Sequence, residues 1–238
     1  MPAMLRYLDS DMVTVYETGD DGKKHRLATL LWGDSVKVKG KSAGFWKLDF
    51  TTRVWDKNKV EKGQYVWRKH DAFIDGDVAF RDDPLLKIRF VDVGQGDGAI
   101  IESPKGQIIL LDGGEEEHIY HYFTAAWAHL LRTKAVELAA IVVTHGDADH
   151  FEGLTKLVNG WGPQGKPPIS TKRVFHNGLV KRPKGTPDLL GKTVKQDGVT
   201  YVVDLHDDLL KTPDKEFNGP GLRWKEALLE LKKNTTGF

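Results

Sequence analysis

The sequence contains no cysteine. Disulfides, thiolate catalysis and cysteine-built zinc knuckles are therefore excluded, and the composition suits a reducing, cytoplasmic setting. No run of about 18 apolar residues occurs, so no membrane segment is expected. The opening MPAMLRYLDSDM lacks the apolar stretch that a signal peptide needs. Neither sign of charge dominates: 35 Lys and Arg stand against 34 Asp and Glu, a net charge of +1. A globally basic nucleic-acid coat and an acidic tail protein are excluded, while a local basic patch is not. What is present is a folding composition, with 39% hydrophobic and 29% charged residues over 238 positions. That length allows one large domain or two small ones. There are 25 glycines, so tight turns should be prominent.

The first 80 or so residues read as short strands. Val13 to Glu17, Arg26 to Lys39 (broken at Gly33-Asp34), Phe45 to Trp55 and Tyr65 to Ile74 are aromatic and β-branched runs separated by turns. Their spacing predicts a small β-barrel over 1–80. Most of its aromatics (Trp32, Phe45, Trp46, Trp55, Tyr65, Trp67) are expected in the core, and some in a peptide groove. A charged break from Asp75 to Pro84 follows, and the grammar then changes. Leu86 to Val93 alternates as a strand, and Gln107 to Asp112 (QIILLD) is apolar enough for burial on both faces. Glu115 to Arg132 has helical spacing, with three glutamates expected in its first turn. Ala139 to Thr144 is a buried strand and Phe151 to Val158 a short helix. Arg173 to His176 and Thr200 to Asp204 are further strands, and Leu222 to Lys232 is an amphipathic helix. Gly94 to Gly98 is read as a tight turn, since it lacks the helix and lysine of a phosphate-cradling loop. His118 and His121, with Glu115 and Glu117, are read as an exposed polar helix face.

The informative segment is Thr144 to Leu154, THGDADHFEGL. It places His145, Asp147, Asp149 and His150 directly after a buried strand. A pattern of His-x-acid-x-acid-His is expected by chance roughly 0.007 times in a chain of this composition. Imidazole and carboxylate together suit Zn²⁺, and without cysteine the site must be built from them. A two-metal site about 3.5–4 Å across would polarise a scissile group. His145 and Asp147 are expected to face one metal, and Asp149 and His150 a second. Asp149 is also placed to orient the water as general base.

These residues resemble the metallo-β-lactamase superfamily, whose His-x-His-x-Asp-His motif follows a hydrophobic strand. Here it is His145-Gly-Asp147-Ala-Asp149-His150, with Asp147 in place of the second His. The carboxylate adds Mn²⁺ or Fe²⁺ as candidates beside Zn²⁺. Phe90-Val-Asp-Val-Gly-Gln-Gly-Asp97-Gly and Leu110-Leu-Asp112-Gly-Gly are similar to the ComEC/Rec2-like branch. That resemblance implies Asp112 as a buried acid bracing the metal loop, and Asp92 and Asp97 near the site's edge. Leu30-Leu31-Trp32-Gly33-Asp34 and Phe45-Trp46-Lys47-Leu48 are similar to a bacterial SH3-like domain. The implied fold class is α+β: an SH3-like barrel over 1–80, then an αββα metallo-β-lactamase unit over 85–238. The family's later ligands have no match after His150, where only His176 and His206 remain. A domain incomplete at its C-terminus is therefore expected.

The implied function is metal-dependent hydrolysis by metal-bound hydroxide, of a phosphodiester such as a nucleic acid. Lys172, Arg173, Lys181, Arg182 and Lys184 form a basic stretch with no acid between Thr171 and Pro187. It surrounds His176 and Asn177, which are placed near the substrate. Two alternatives stay open: hydrolysis of a lactam, thioester or lactone, and an inactive interaction module whose SH3-like part binds a peptide or protein.

Overall fold

The computed structural model describes residues 3–56, 64–160, 162, 166–186 and 188–235. The chain divides into two compact units, Met1–Leu85 and Leu86–Phe238, and contains both helices and sheets. Among the described residues no helix is long and apolar enough to cross a membrane.

The first unit is all strand: β1 (Met4–Leu8), β2 (Met12–Thr18), β3 (Lys24–Leu31), β4 (Ser35–Ser42), β5 (Phe45–Leu48), β6 (Phe50–Asp56), β7 (Gln64–His70), β8 (Ala72–Asp75) and β9 (Phe80–Arg81). Seven of them form a sheet in the order β3-β2-β8-β5-β4-β1-β9, and β6 pairs with β7. The sheet is antiparallel throughout. It does not match the closed barrel expected from the strand spacing. β1 and β9 extend it at one end, and among the described residues β3 and β9 remain its edges. Alternation builds the core: Val13 and Val15 on β2 and Val36 and Val38 on β4 turn inward with Leu8, Leu48 and Ile74. The aromatics divide. Phe45 packs on Phe73 and Trp46 on Phe80, whereas Trp32 is 49% exposed. Trp55 and Tyr65 have side chains outside the described residues. Buried His70 ties the hairpin to the sheet. Its Nδ1 lies 2.8 Å from Glu17 Oε2 on β2, and its Nε2 lies 2.6 Å from Thr52 Oγ1 on β6. The hydrogen bond from His70 holds the Glu17 carboxyl below its usual range.

The second unit runs β10 (Lys87–Phe90), β11 (Ala99–Glu102), β12 (Ile108–Leu111), α1 (His118–Ala126), β13 (Val136–Leu138), β14 (Ala140–Val143), α2 (Ala148–Val158), β15 (Ile169–Thr171), β16 (Val174–His176), β17 (Thr193–Gln196), β18 (Val199–Val202) and α3 (Gly219–Asn234). The main sheet is β10-β11-β12-β14-β16. Its first two pairings are antiparallel and its last two parallel. Ile100, Leu110 and Ile141 are fully buried and join the helices in one core with Ile119, Phe123, Leu154, Leu157, Trp224 and Leu231. QIILLD is less enclosed than its composition predicts. Ile108 and Leu110 are buried, but Ile109 and Leu111 are only half-buried.

The helices shift relative to the sequence reading. α1 spans nine residues, and after Trp127 the chain continues in tight turns such as Leu130 N–H to Trp127 O at 3.0 Å. Glu115 to Glu117 precede the helix rather than sitting in its first turn. His118 and His121 are exposed, and His121 lies 3.5 Å from Glu117. α2 starts three residues early, at Ala148, which places Asp149 and His150 on its first turn. α3 starts at Gly219 because Asn218 caps it, accepting from Gly221 N–H at 2.8 Å, and Pro220 occupies a first-turn position that needs no N–H.

Candidate metal centre

The three parallel strands end at one edge of the sheet. Asp112 follows β12, Thr144 and His145 follow β14, and His176 closes β16, opposite Val143. The carboxyl edge of parallel strands is where open α/β sheets place their ligands.

Asp112 is 1% exposed and sits in the left-handed region at φ 53. That conformation is costly for most side chains but tolerated by Asp and Asn. From there Asp112 Oδ1 accepts the Thr144 backbone N–H at 2.8 Å. Its Oδ2 accepts the Thr144 hydroxyl at 2.6 Å and lies 3.0 Å from His150 Nδ1. An ionised carboxylate only accepts, so His150 carries its proton on Nδ1 and presents a bare Nε2. A carboxylate oriented behind a histidine in this way is the usual second layer of a metal site. Asp112 thus ties the end of β14 to the first turn of α2, and Thr144, which the sequence reading passed over, shares that link.

The four motif residues are placed unequally. The His145 and His150 rings lie 3.6 Å apart between centroids, and Asp149 Oδ1 is 4.0 Å from His150 Nε2. Asp147 sits at the N-cap of α2 with no capping bond. Its carboxylate instead pairs with Lys181 Nζ at 3.0 Å. The group whose ligand atoms all lie within 4.8 Å of one another is Asp97, Asp112 and His150. Asp97 is exposed and enters from the glycine-rich loop. That loop is pinned against α2 through Gly96, where a β-carbon would meet the Asp149 carbonyl oxygen at 1.7 Å. Only glycine fits there, and its φ of 89 requires glycine independently. Gly114 N–H donates to Asp97 O at 2.9 Å, and Gly113 N–H to His150 O at 2.8 Å, so β12, the loop and α2 are stitched together.

This donor set fits a divalent cation. A buried histidine offers a bare nitrogen, a second imidazole lies against it, and the Asp97, Asp112 and Asp149 carboxylates lie around His150. His176 is half-buried, and burial pushes its pKa below the usual value despite the opposing pull of Asp208 and Asp207. Asn177 is exposed beside it. His206 is tied to the turn after β16 by its backbone N–H, which donates to Gly178 O at 2.8 Å. The basic stretch is partly neutralised within the unit. Arg182 pairs with Asp204 at 2.6 Å and Glu216 at 3.0 Å, and Lys181 with Asp147.

No protein-family model, no curated protein and no solved structure matches this chain.

Proposed function

We propose that residues 86–238 act as a metal-dependent hydrolase of the metallo-β-lactamase type, in its ComEC/Rec2-like branch, and that the unit before them is SH3-like. The observation that carries the reading is the Asp112–His150 pair, which turns a bare imidazole nitrogen towards His145 and Asp149. His145, Asp149 and His150 would hold the ion, with Asp147 joining if Lys181 yields it. Zn²⁺ is the first candidate, with Mn²⁺ and Fe²⁺ admitted by the carboxylates. When bound, the ion supplies Lewis acidity at the scissile group.

The chain's own residues do the rest. Asp112 and Thr144 fix the direction of His150. Asp149, with its side chain 25% exposed, is the carboxylate within reach of both the ligands and solvent, and it takes the proton from an attacking water. A phosphodiester substrate is favoured by the resemblance to that branch and by the basic stretch, in which Lys172, Arg173 and Lys184 form no ion pair among the described residues.

The test begins with metal content after dialysis against Zn²⁺ or Mn²⁺. Bis(p-nitrophenyl) phosphate is then assayed beside a chromogenic lactam. The reading predicts stoichiometric metal and phosphodiesterase turnover that Asp149→Ala abolishes. Lactam turnover alone would replace the substrate, and a chain that binds no metal would sink the hydrolase reading.

A further inference from the structure

The turn leaving β16 disposes of its polar groups in one direction. Gly178 N–H donates to His176 Nδ1 at 2.9 Å, and Leu179 N–H donates to Asn177 Oδ1 at 3.1 Å. A backbone N–H can only donate, so His176 Nδ1 carries no proton. The single proton of the neutral ring therefore sits on Nε2. The same logic fixes the Asn177 amide: its oxygen is taken by the backbone and its NH₂ is left over. Both acceptors are consumed inside the turn and both donors remain. Among the described residues no hydrogen bond engages either donor.

His176 and Asn177 line a cavity together with His145, Lys181 and Trp224. Trp224 is 3% exposed, and its Nε1–H has no acceptor among the described residues. Buried donors without partners are rare in folded chains, and three residues that line this cavity, His176, Asn177 and Trp224, each carry an N–H without an acceptor among the described residues. His150 and His176 are moreover opposite tautomers. The first offers a lone pair and suits a cation; the second offers a proton and suits an anion.

We infer that His176 and Asn177 are a donor pair that binds an oxyanion, a phosphate oxygen of the substrate, beside the metal loop, and that His176 is not a metal ligand. This deepens the proposed hydrolase by saying how its substrate is held, but its test is independent of turnover. The probe is inorganic phosphate, titrated into the full chain. Asn177→Asp keeps the oxygen that Leu179 N–H needs and replaces the outward NH₂ with a second oxygen. Phosphate affinity should fall about tenfold or more, the loss expected for one charge-assisted hydrogen bond, with the melting temperature unchanged. His176→Gln, which retains an N–H near the Nε2 position, should bind phosphate better than His176→Ala. Long-range ¹⁵N–¹H spectra should show the His176 proton on Nε2.

A proton on Nδ1, an Asn177→Asp protein that binds phosphate like the parent, or a parent that binds none would each overturn the inference. Phosphate binding that depends on Asn177 in a chain without phosphodiesterase activity would keep the donor pair and remove the hydrolase. Turnover of bis(p-nitrophenyl) phosphate indifferent to Asn177→Asp would do the reverse.

Discussion

Asp112→Asn separates the brace from the fold. Asparagine tolerates the left-handed backbone at this position, and its oxygen can still accept the Thr144 N–H. What changes is Oδ2, which now accepts from both Thr144 Oγ1 and His150 Nδ1. With an NH₂ in its place, the Thr144 hydroxyl rotates and accepts instead, recovering most of its bond. His150 can answer only by moving its proton from Nδ1 to Nε2. Its outward nitrogen is then blocked. One charge-assisted hydrogen bond in a buried setting is lost, a cost of about 2 kcal/mol in folding stability. Metal affinity should fall about 10- to 100-fold, the effect of losing a carboxylate behind a ligating histidine. Urea denaturation reads the first quantity, and isothermal titration with Zn²⁺ or Mn²⁺ reads the second. Asp112→Ala should cost about 1 kcal/mol more through the backbone strain alone. An Asp112→Asn protein that is destabilised as expected, yet binds metal as tightly as the parent, would refute the tautomer argument.

Gly96→Ala drives a methyl group into the Asp149 carbonyl oxygen at a positive φ, so the loop must leave α2. A loss of about 3 kcal/mol is expected from overpacking and strain together, measured as a shift in the urea midpoint. Lys181→Met frees the Asp147 carboxylate, and since a half-exposed ion pair contributes about 0–1 kcal/mol, metal binding should tighten up to about fivefold by titration. Weaker binding would mean that Asp147 is not a ligand. In the first unit, the Glu17 carboxyl is held below its ordinary value of 4.5 by the hydrogen bond from His70. Its contribution is therefore full above that value and is lost as pH falls through the folded-state pKa. Glu17→Gln should flatten this acid limb in denaturation curves below about pH 4.5. His176 acts at a different range: burial lowers its pKa from 6.5, so its stabilising share is full above 6.5 and declines as pH falls below it.

Strand periodicity made β12, β14 and the turn after them legible, because a buried parallel strand and four ligand-type side chains are both local features. The open edge of the first sheet was not legible. β1 and β9 are short, and what defines them is pairing across the chain, Leu8 with Phe80. α1 ends before its apolar pattern does because the segment after Trp127 is held by tight turns, which periodicity does not register. The glycine-rich loop announced a turn, but the close approach of Gly96 to Asp149 is a tertiary fact. Protonation is the clearest limit. The tautomer of His150 is set by Asp112, far back in the chain, and that of His176 by the peptide two residues on. Two histidines that look interchangeable in sequence are given opposite chemistry by their neighbours.

The arrangement at the carboxyl edge also bears on how such a protein could change over time. The candidate ligand groups are locked to the hydrophobic interior through Asp112, Gly96 and the first turn of α2, where almost any replacement would be felt throughout the unit. His176 to Leu179 is held differently: the two side-chain acceptors, His176 Nδ1 and Asn177 Oδ1, are taken by N–H groups of the same turn. Side chains that are oriented by their own turn can change at less cost to the interior, which makes this turn the place where a new preference could arise on an unchanged scaffold.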